Sequence, residues 1–395
     1  MRGMNRPRDV MVAGKLPEPV RGGLDLRIQG QLRALATFCD VTLIALHGRP
    51  GSGSVVGVPY VCLGGELIAD TSALAAHVLA HPEDPYGPLF DSLVAQELAA
   101  VLRRLTPTAV VVSRLQSWIY AESIRSSTSA HVFLDLDESA ARLCESFMSL
   151  PYTGIQRSLH LRFTAASARY ERSVISKPDA IWVASEIERD FVQASYPEAA
   201  PVSVVVNAVD VPEQVPQHEH LGRFTVIFSG NFSYPPNIAA AQEIIQQIAP
   251  ALSDMDFVLA GSHFPDSLGV WLPTNVRVLS PVTDMRTVLV SADAAVLPIR
   301  AGGGTRLKAI ECMALGVPIV ATDAAMEGLN VLQGKDFLIA HRTEEFATQL
   351  IDLARNPDLG QLLISQAHAA VVSEYSTLAL SKSLETSIAQ LTIQH

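Results

Sequence analysis

Residues 294–329 read AAVLPIRAGGGTRLKAIECMALGVPIVATDAAMEGL, and the fold follows from how that stretch divides. Ala294–Pro298 is a short apolar run, the pattern of a strand buried on both faces of a parallel sheet. Gly302-Gly303-Gly304 follows, a backbone free to take positive φ and to approach a ligand closely. Thr305 offers an N-cap side chain, so a helix is expected from there to Leu315. Gly316 and Pro318 stop it, and Pro318–Thr322 reads as the next strand. A glycine loop that feeds a helix N-terminus is an anion site, because the free N–H groups and the positive end of the dipole point the same way.

The side chains of that helix sharpen the reading. Arg306 and Lys308 add cations to its first turn, but two positions apart they cannot face the same way on a regular helix. Lys308 and Glu311 do share a face, with Cβ atoms roughly 5–6 Å apart. A cation near the loop and a carboxylate one turn deeper suit a nucleoside diphosphate and then its ribose hydroxyls. The alternative is a surface Lys–Glu ion pair worth a few tenths of a kcal/mol.

The same strand–helix alternation recurs along the chain. Val10–Gly14 reads as a first strand; Gly22-Gly23 opens a helix whose Leu24, Ile28, Leu32 and Leu35 recur at helical spacing; Val41–Leu46 is the next strand. Gly48–Gly57 reads as a polar, glycine-rich loop, Leu93–Leu105 as a helix, and Ala109–Ser113 and His131–Leu136 as strands. Asp135 and Asp137 stand at the carboxyl end of the last of these, where open α/β sheets place their ligands. Asp137 has a second reading as cap of the helix beginning near Glu138. Arg157–Ser176 reads as a long helix with a basic side of Arg157, Arg162, Arg169 and Arg172, either a solvated face or a contact for an anionic acceptor or lipid headgroup, with Glu171 interrupting it. Ala180–Ser185 and Val202–Val206 complete the first half. Proline and polar residues without a period mark 207–222 as a linker. The second half restarts with Thr225–Gly230, the turn from Gly230 and Asn231 to Asn237, and a helix near Pro236; Phe257–Gly261 and Val276–Leu279 continue it.

Composition excludes several classes. With 395 residues, the chain is long enough for two domains, and with 48% hydrophobic residues it can bury a large core. A net charge of −11 argues against nucleic acid as a bulk partner. The four cysteines, Cys39, Cys62, Cys144 and Cys312, are scattered without a C-x-x-C, which fits a reducing cytosol rather than a disulfide framework or a zinc knuckle. No run approaches the roughly 18 apolar residues that span a bilayer. The expectation is a cytoplasmic protein, with peripheral contact at the inner face of a membrane left open.

The 302–322 stretch resembles the donor-site signature of the family 4 glycosyltransferases, in the branch written roughly G-x-G-T-R-L-K-x-x-E-x-M-A-x-G-x-P-V-V-A-T. The family's common pattern carries a second Glu eight positions before the nucleotide-side Glu; with Glu311 in the latter place, that position is Gly303. Many relatives also carry an Arg and a Lys in the turn after the second domain's first strand, and the turn from Gly230 to Asn237 has neither, so Arg306 and Lys308 inherit more of the diphosphate's charge.

The resemblance implies the GT-B fold: two doubly wound, Rossmann-like α/β domains facing across a cleft. Residues 1–206 would bind the acceptor, 207–222 link, and 223–376 bind the donor, with a helix over about 377–395 packing back on the first domain. It implies transfer of a sugar from a nucleotide-diphosphate sugar to a hydroxyl acceptor with retention of anomeric configuration. Neither metal nor cofactor is expected beyond the donor itself. Donor-binding residues would be Gly22, Gly23, Gly230, Asn231, Gly302, Gly303, Gly304, Thr305, Arg306, Lys308 and Glu311; Asp135, Asp137, Arg306 and Lys308 are the catalytic candidates. Inversion would instead need a base, for which His47 at a strand end is the candidate. A sugar-nucleotide epimerase and a non-catalytic nucleotide-sugar-binding scaffold remain as alternatives on the same fold.

Overall fold

The structure is a computed structural model that describes residues 6–20, 22–65, 71–148, 155–216, 222–303 and 306–393. The chain divides into two compact units, Met1–Asn207 with Leu380–His395, and Ala208–Ala379. Each is built on a sheet of mainly or wholly parallel strands, so the expected pair of Rossmann-like α/β domains is what the chain forms.

The first unit carries β1 (Arg8–Ala13), β2 (Asp40–His47), β3 (Gly51–Val55), β4 (Val58–Gly65), β5 (Ala109–Ser113), β6 (His131–Asp137), β7 (Ala180–Val183) and β8 (Val202–Val204), in the order β3-β4-β2-β1-β5-β6-β7-β8. Val12 pairs in parallel with Ile44 on one side and Val112 on the other, and all three are buried. Continuous apolar strands are what a sheet covered on both faces requires. The order reverses direction at β1, which sets the carboxyl ends of β1, β5 and β6 at one edge.

Three local expectations are corrected. The 48–57 segment is not a loop: Gly51–Val55 pairs antiparallel with β4 through a tight turn whose central residues, Val56 (φ 47°) and Gly57 (φ 81°), both lie in the left-handed region. Its Gly-Ser-Gly-Ser sequence is almost wholly exposed and carries no apolar alternation to reveal a strand. Glu171 does not interrupt a solvated face of the helix Ile155–Val174; its buried carboxylate accepts from the Ser139 hydroxyl and the Ala140 N–H, each at 2.6 Å. Asp137 does not cap the helix Ala140–Met148, because Ser139 Oγ accepts from Arg142 N and Ser139 O from Leu143 N.

From Leu380 on, the helix Thr377–Ile393 belongs to the first unit. Trp182 Nε1 donates to Ser387 Oγ at 2.8 Å, and Ser383 Oγ to Val204 O at 2.7 Å.

The second unit carries β9 (Thr225–Asn231), β10 (Asp256–Ser262), β11 (Val276–Leu279), β12 (Ala294–Leu297), β13 (Ile319–Ala321) and β14 (Leu338–Ile339), all parallel, in the order β11-β10-β9-β12-β13-β14. Connections run outward to one side from β9 and to the other from β12. The crevice beyond the carboxyl ends of these two neighbours is therefore the switch point where open α/β sheets hold ligands. The turn after Gly230 and the 302–303 segment both leave from that edge.

Candidate functional site

The site in the second unit is built from two strand ends. After β9, Asn231 Oδ1 accepts from Ser233 N at 2.9 Å and from Ser233 Oγ at 2.8 Å, a side-chain turn that reverses the chain. The helix Pro235–Glu243 follows, and its two leading prolines lack only N–H groups that a first turn leaves unpaired. Asn237, near the start of this helix, is buried and turned back toward the strand end. Its Nδ2 donates to Asn231 O at 2.8 Å and its Oδ1 accepts from Lys308 Nζ at 2.6 Å. A Cβ on Gly230 would stand 2.8 Å from Asn237 Nδ2 and 3.2 Å from Lys308 Nζ, so only glycine admits this close approach.

After β12 the backbone turns through Gly302 at φ 128°. Gly304 and Thr305 lie outside the described residues. The helix begins at Leu307, with Arg306 and not Thr305 as the residue before it. Arg306 is buried, and its guanidinium is spent on backbone: Nη2 donates to Gly302 O at 3.0 Å, Nη1 to Gly303 O at 2.9 Å, and Nε to Ala324 O at 3.0 Å. The expectation that Arg306 offers its charge to a diphosphate therefore meets a side chain that already donates to three carbonyls. It fixes the loop, and the fork geometry of guanidinium suits it to several carbonyls at once.

Lys308 stands differently. Its ammonium lies 4.6 Å from the Phe228 ring centroid, over the face, and Asn237 is its one hydrogen-bond acceptor among the described residues. Burial, followed by the field of Arg306, lowers its pKa to about 7. One turn on, burial raises Glu311 to about 7, against the opposing pull of Lys308. Both side chains are half-buried. The Glu311 carboxylate accepts no hydrogen bond among the described residues, so the surface ion-pair reading gives way to a cation and a carboxylate presented along one helix face.

In the first unit, Gly22 precedes the helix Gly23–Leu35 in an extended conformation, and a Cβ there would meet nothing within 4 Å. The strand-end carboxylates do not stand free. Asp135 is fully buried, with Arg27 Nε 3.0 Å from one oxygen and Nη2 2.5 Å from the other; Arg27, equally buried, also donates to Val205 O at 3.0 Å and Asn207 Oδ1 at 2.9 Å. Asp135 therefore presents no free oxygen to an acceptor, contrary to expectation. Asp137 is held less tightly: Arg114 Nη1 is 3.3 Å from its Oδ2 and Arg27 Nη1 3.6 Å from its Oδ1, a buried oxygen that accepts no hydrogen bond among the described residues. Asp137 (φ 66°) and Arg114 (φ 69°) both sit in the left-handed region at the ends of β6 and β5, and Arg114 is further held by Glu138 at 3.2 Å.

Sequence reasoning missed Arg27, Arg114, Phe228 and Asn237. Arg27 carried a readable signal, since an arginine one position from the Leu24/Ile28 apolar stripe demands a buried carboxylate.

Comparison with known proteins bears on both units. The sequence model of the family described as "Glycosyl transferases group 1" matches residues 223–356, within the second unit. No curated protein sequence matches the chain. Solved structures align with it over nearly its whole length. Sucrose-phosphate synthase from Thermosynechococcus elongatus is 13% identical with a TM-score of 0.74, covering 99% of this chain and 100% of that one. HepE from Anabaena, in complex with UDP and glucose, is 12% identical with a TM-score of 0.67, covering 96% and 99%. An α,α-trehalose 6-phosphate synthase from Burkholderia multivorans is 12% identical with a TM-score of 0.61, covering 99% and 98%. At these identities the likeness is one of fold, and the fold is that of GT-B glycosyltransferase structures.

Proposed function

We propose that the protein transfers a sugar from a nucleotide-diphosphate sugar to a hydroxyl acceptor, keeping the anomeric configuration. The observation that carries this reading is the Lys308 ammonium, held at the switch point of the second sheet by Asn237 and beside Gly230, where a Cβ would crowd both side chains. It supplies a cation where a diphosphate's charge must be offset. The N-terminal N–H groups of the Leu307–Ala314 helix add their dipole. Glu311, which accepts no hydrogen bond among the described residues, would accept from the ribose hydroxyls.

Retention follows from where the stabilisation lies. A departing diphosphate held by Lys308 can take the acceptor's proton on the same face of the sugar, so no separate base is called for. The first unit would bind the acceptor, with Asp137 rather than Asp135 turned to it, because the Asp137 side chain keeps 11% of its surface exposed while that of Asp135 is fully buried. The match of residues 223–356 to a glycosyltransferase family, and the UDP and glucose in the HepE structure, support a nucleotide-sugar donor. Among the described residues no helix is long and apolar enough to cross a membrane, and we place the reaction in the cytoplasm or at the inner membrane face.

One observation favours a second reading. Gly303 stands where the related signature carries a Glu, which suits a scaffold that binds a nucleotide sugar without turning it over. Incubation with donor alone, followed by proton NMR, separates the readings: a transferase hydrolyses it slowly, an epimerase alters the sugar, a scaffold leaves it intact. For the transferase, the anomeric coupling of the product, read early in the reaction, reports retention; an inverted linkage would move attention to His47 and Asp137 as bases.

A further inference from the structure

The geometry points to Asn237, on the helix after β9, as the residue that positions Lys308 for a diphosphate, its amide oxygen accepting from the ammonium. The inference rests on the nucleotide-sugar reading of the site and goes one residue beyond it.

Three features fix the arrangement. Asn237 can adopt only one amide orientation: Nδ2 must face Asn231 O and Oδ1 must face the Lys308 ammonium, and a flipped amide would set donor against donor and acceptor against acceptor. The residue is buried, and its own N–H is tied to Tyr234 O at 3.0 Å, so the side chain is anchored at both ends. Lys308 in turn has neighbours on three elements. From β9 it meets the face of Phe228 and the open Cα of Gly230; from its own helix it feels Arg306, Glu311 and Cys312; from the helix Pro235–Glu243 it meets Asn237.

The chemistry follows from donor counting. An ammonium has three N–H donors. One goes to Asn237, which leaves two for an anion. Without the amide oxygen, the buried ammonium would keep only the Phe228 face and the field of Glu311 against the repulsion of Arg306. It would then lose its proton more readily and lose its direction as well. Asn237 thus acts through Lys308 and touches no reacting atom.

The test compares the wild-type protein with Asn237→Asp and Asn237→Leu. Affinity for UDP, GDP, ADP, CDP and dTDP is measured by calorimetry from pH 5.5 to 9.5. Separately, on ligand-free protein, the rate of Lys308 acetylation by acetic anhydride is followed by peptide mass across the same range. The carboxylate of Asn237→Asp keeps an acceptor and adds negative charge, so the midpoints of both profiles should move up by about one pH unit. Asn237→Leu should move them down and weaken nucleoside diphosphate binding about tenfold at pH 7. Midpoints unchanged in both variants would overturn the positioning role, whatever happens to Tm, and should Asn237→Leu not fold, Asn237→Asp decides alone. If the wild type binds none of the five nucleotides, the nucleotide-sugar reading fails and the diphosphate part of this inference with it. Acetylation midpoints that still moved would then show only that Asn237 holds Lys308.

Discussion

Arg306 Nη2 donates to Gly302 O at 3.0 Å, so the arginine closes the glycine loop that leads into its own helix. The contact separates two cations that the sequence presents as equivalent. Arg306 donates to three backbone carbonyls, whereas Lys308 has one acceptor among the described residues, Asn237 Oδ1.

Arg306→Lys therefore should act on stability first. Lysine cannot reach three carbonyls at once, and the loss leaves buried acceptors unpaired, at about 1–3 kcal/mol. Urea unfolding should show that loss, and nucleotide affinity should fall only as far as the loop loosens. Unchanged stability with abolished binding would make Arg306 a direct phosphate ligand.

Glu311 and Lys308 give opposite pH signatures. The folded chain holds Glu311's proton more tightly than the unfolded chain does, so this group's contribution to stability is full below its ordinary 4.5 and declines as pH rises toward about 7. Glu311→Gln mimics the protonated form throughout. Its Tm should equal the wild type's near pH 4.5 and exceed it at pH 8, while activity falls. For Lys308 the folded chain holds the proton less tightly, so its penalty is full below about 7 and fades toward its ordinary 10.5. Lys308→Met should raise Tm at pH 7 and not at the alkaline limit. Thermal scans at three pH values check both signs. Collapse of Tm in Glu311→Gln at pH 8 would make Glu311 a structural carboxylate.

The Arg27–Asp135 pair is predicted to be structural. Removing one partner leaves an uncompensated buried charge, and Arg27→Met or Asp135→Leu alone should cost about 3–5 kcal/mol. The double variant should recover much of that, which a double-mutant cycle by chemical denaturation measures. Asp137→Asn is the contrast. Asparagine tolerates the left-handed backbone at this position, so the fold should stay while turnover drops. Normal turnover would remove Asp137 from the acceptor site.

The scaffold was legible because period and punctuation agree: continuous apolar strands, helices with caps, and glycine loops at strand ends. Ser185 caps its helix with an oxygen that accepts from Glu188 N, as a Ser three residues before a Glu announces. The hairpin of β3 and β4 was illegible because its outer strand buries almost nothing. The site was half legible. Lys308 and Glu311 announce themselves by spacing after a glycine loop. Arg306, Asp135 and Asn237 each also have a partner from 18 to 108 residues distant, and no local pattern encodes those contacts.

The central claim is that Lys308 holds the diphosphate of a nucleotide sugar. Calorimetric titration of the wild type and Lys308→Met with the five common nucleoside diphosphates at pH 6.5 tests it most directly. Saturable binding of at least one nucleotide by the wild type is expected, weakened in the variant by about 1.5–3 kcal/mol, the size of a lost charge-assisted hydrogen bond. Equal affinity in the two proteins, or no binding by the wild type to any of the five, would contradict it.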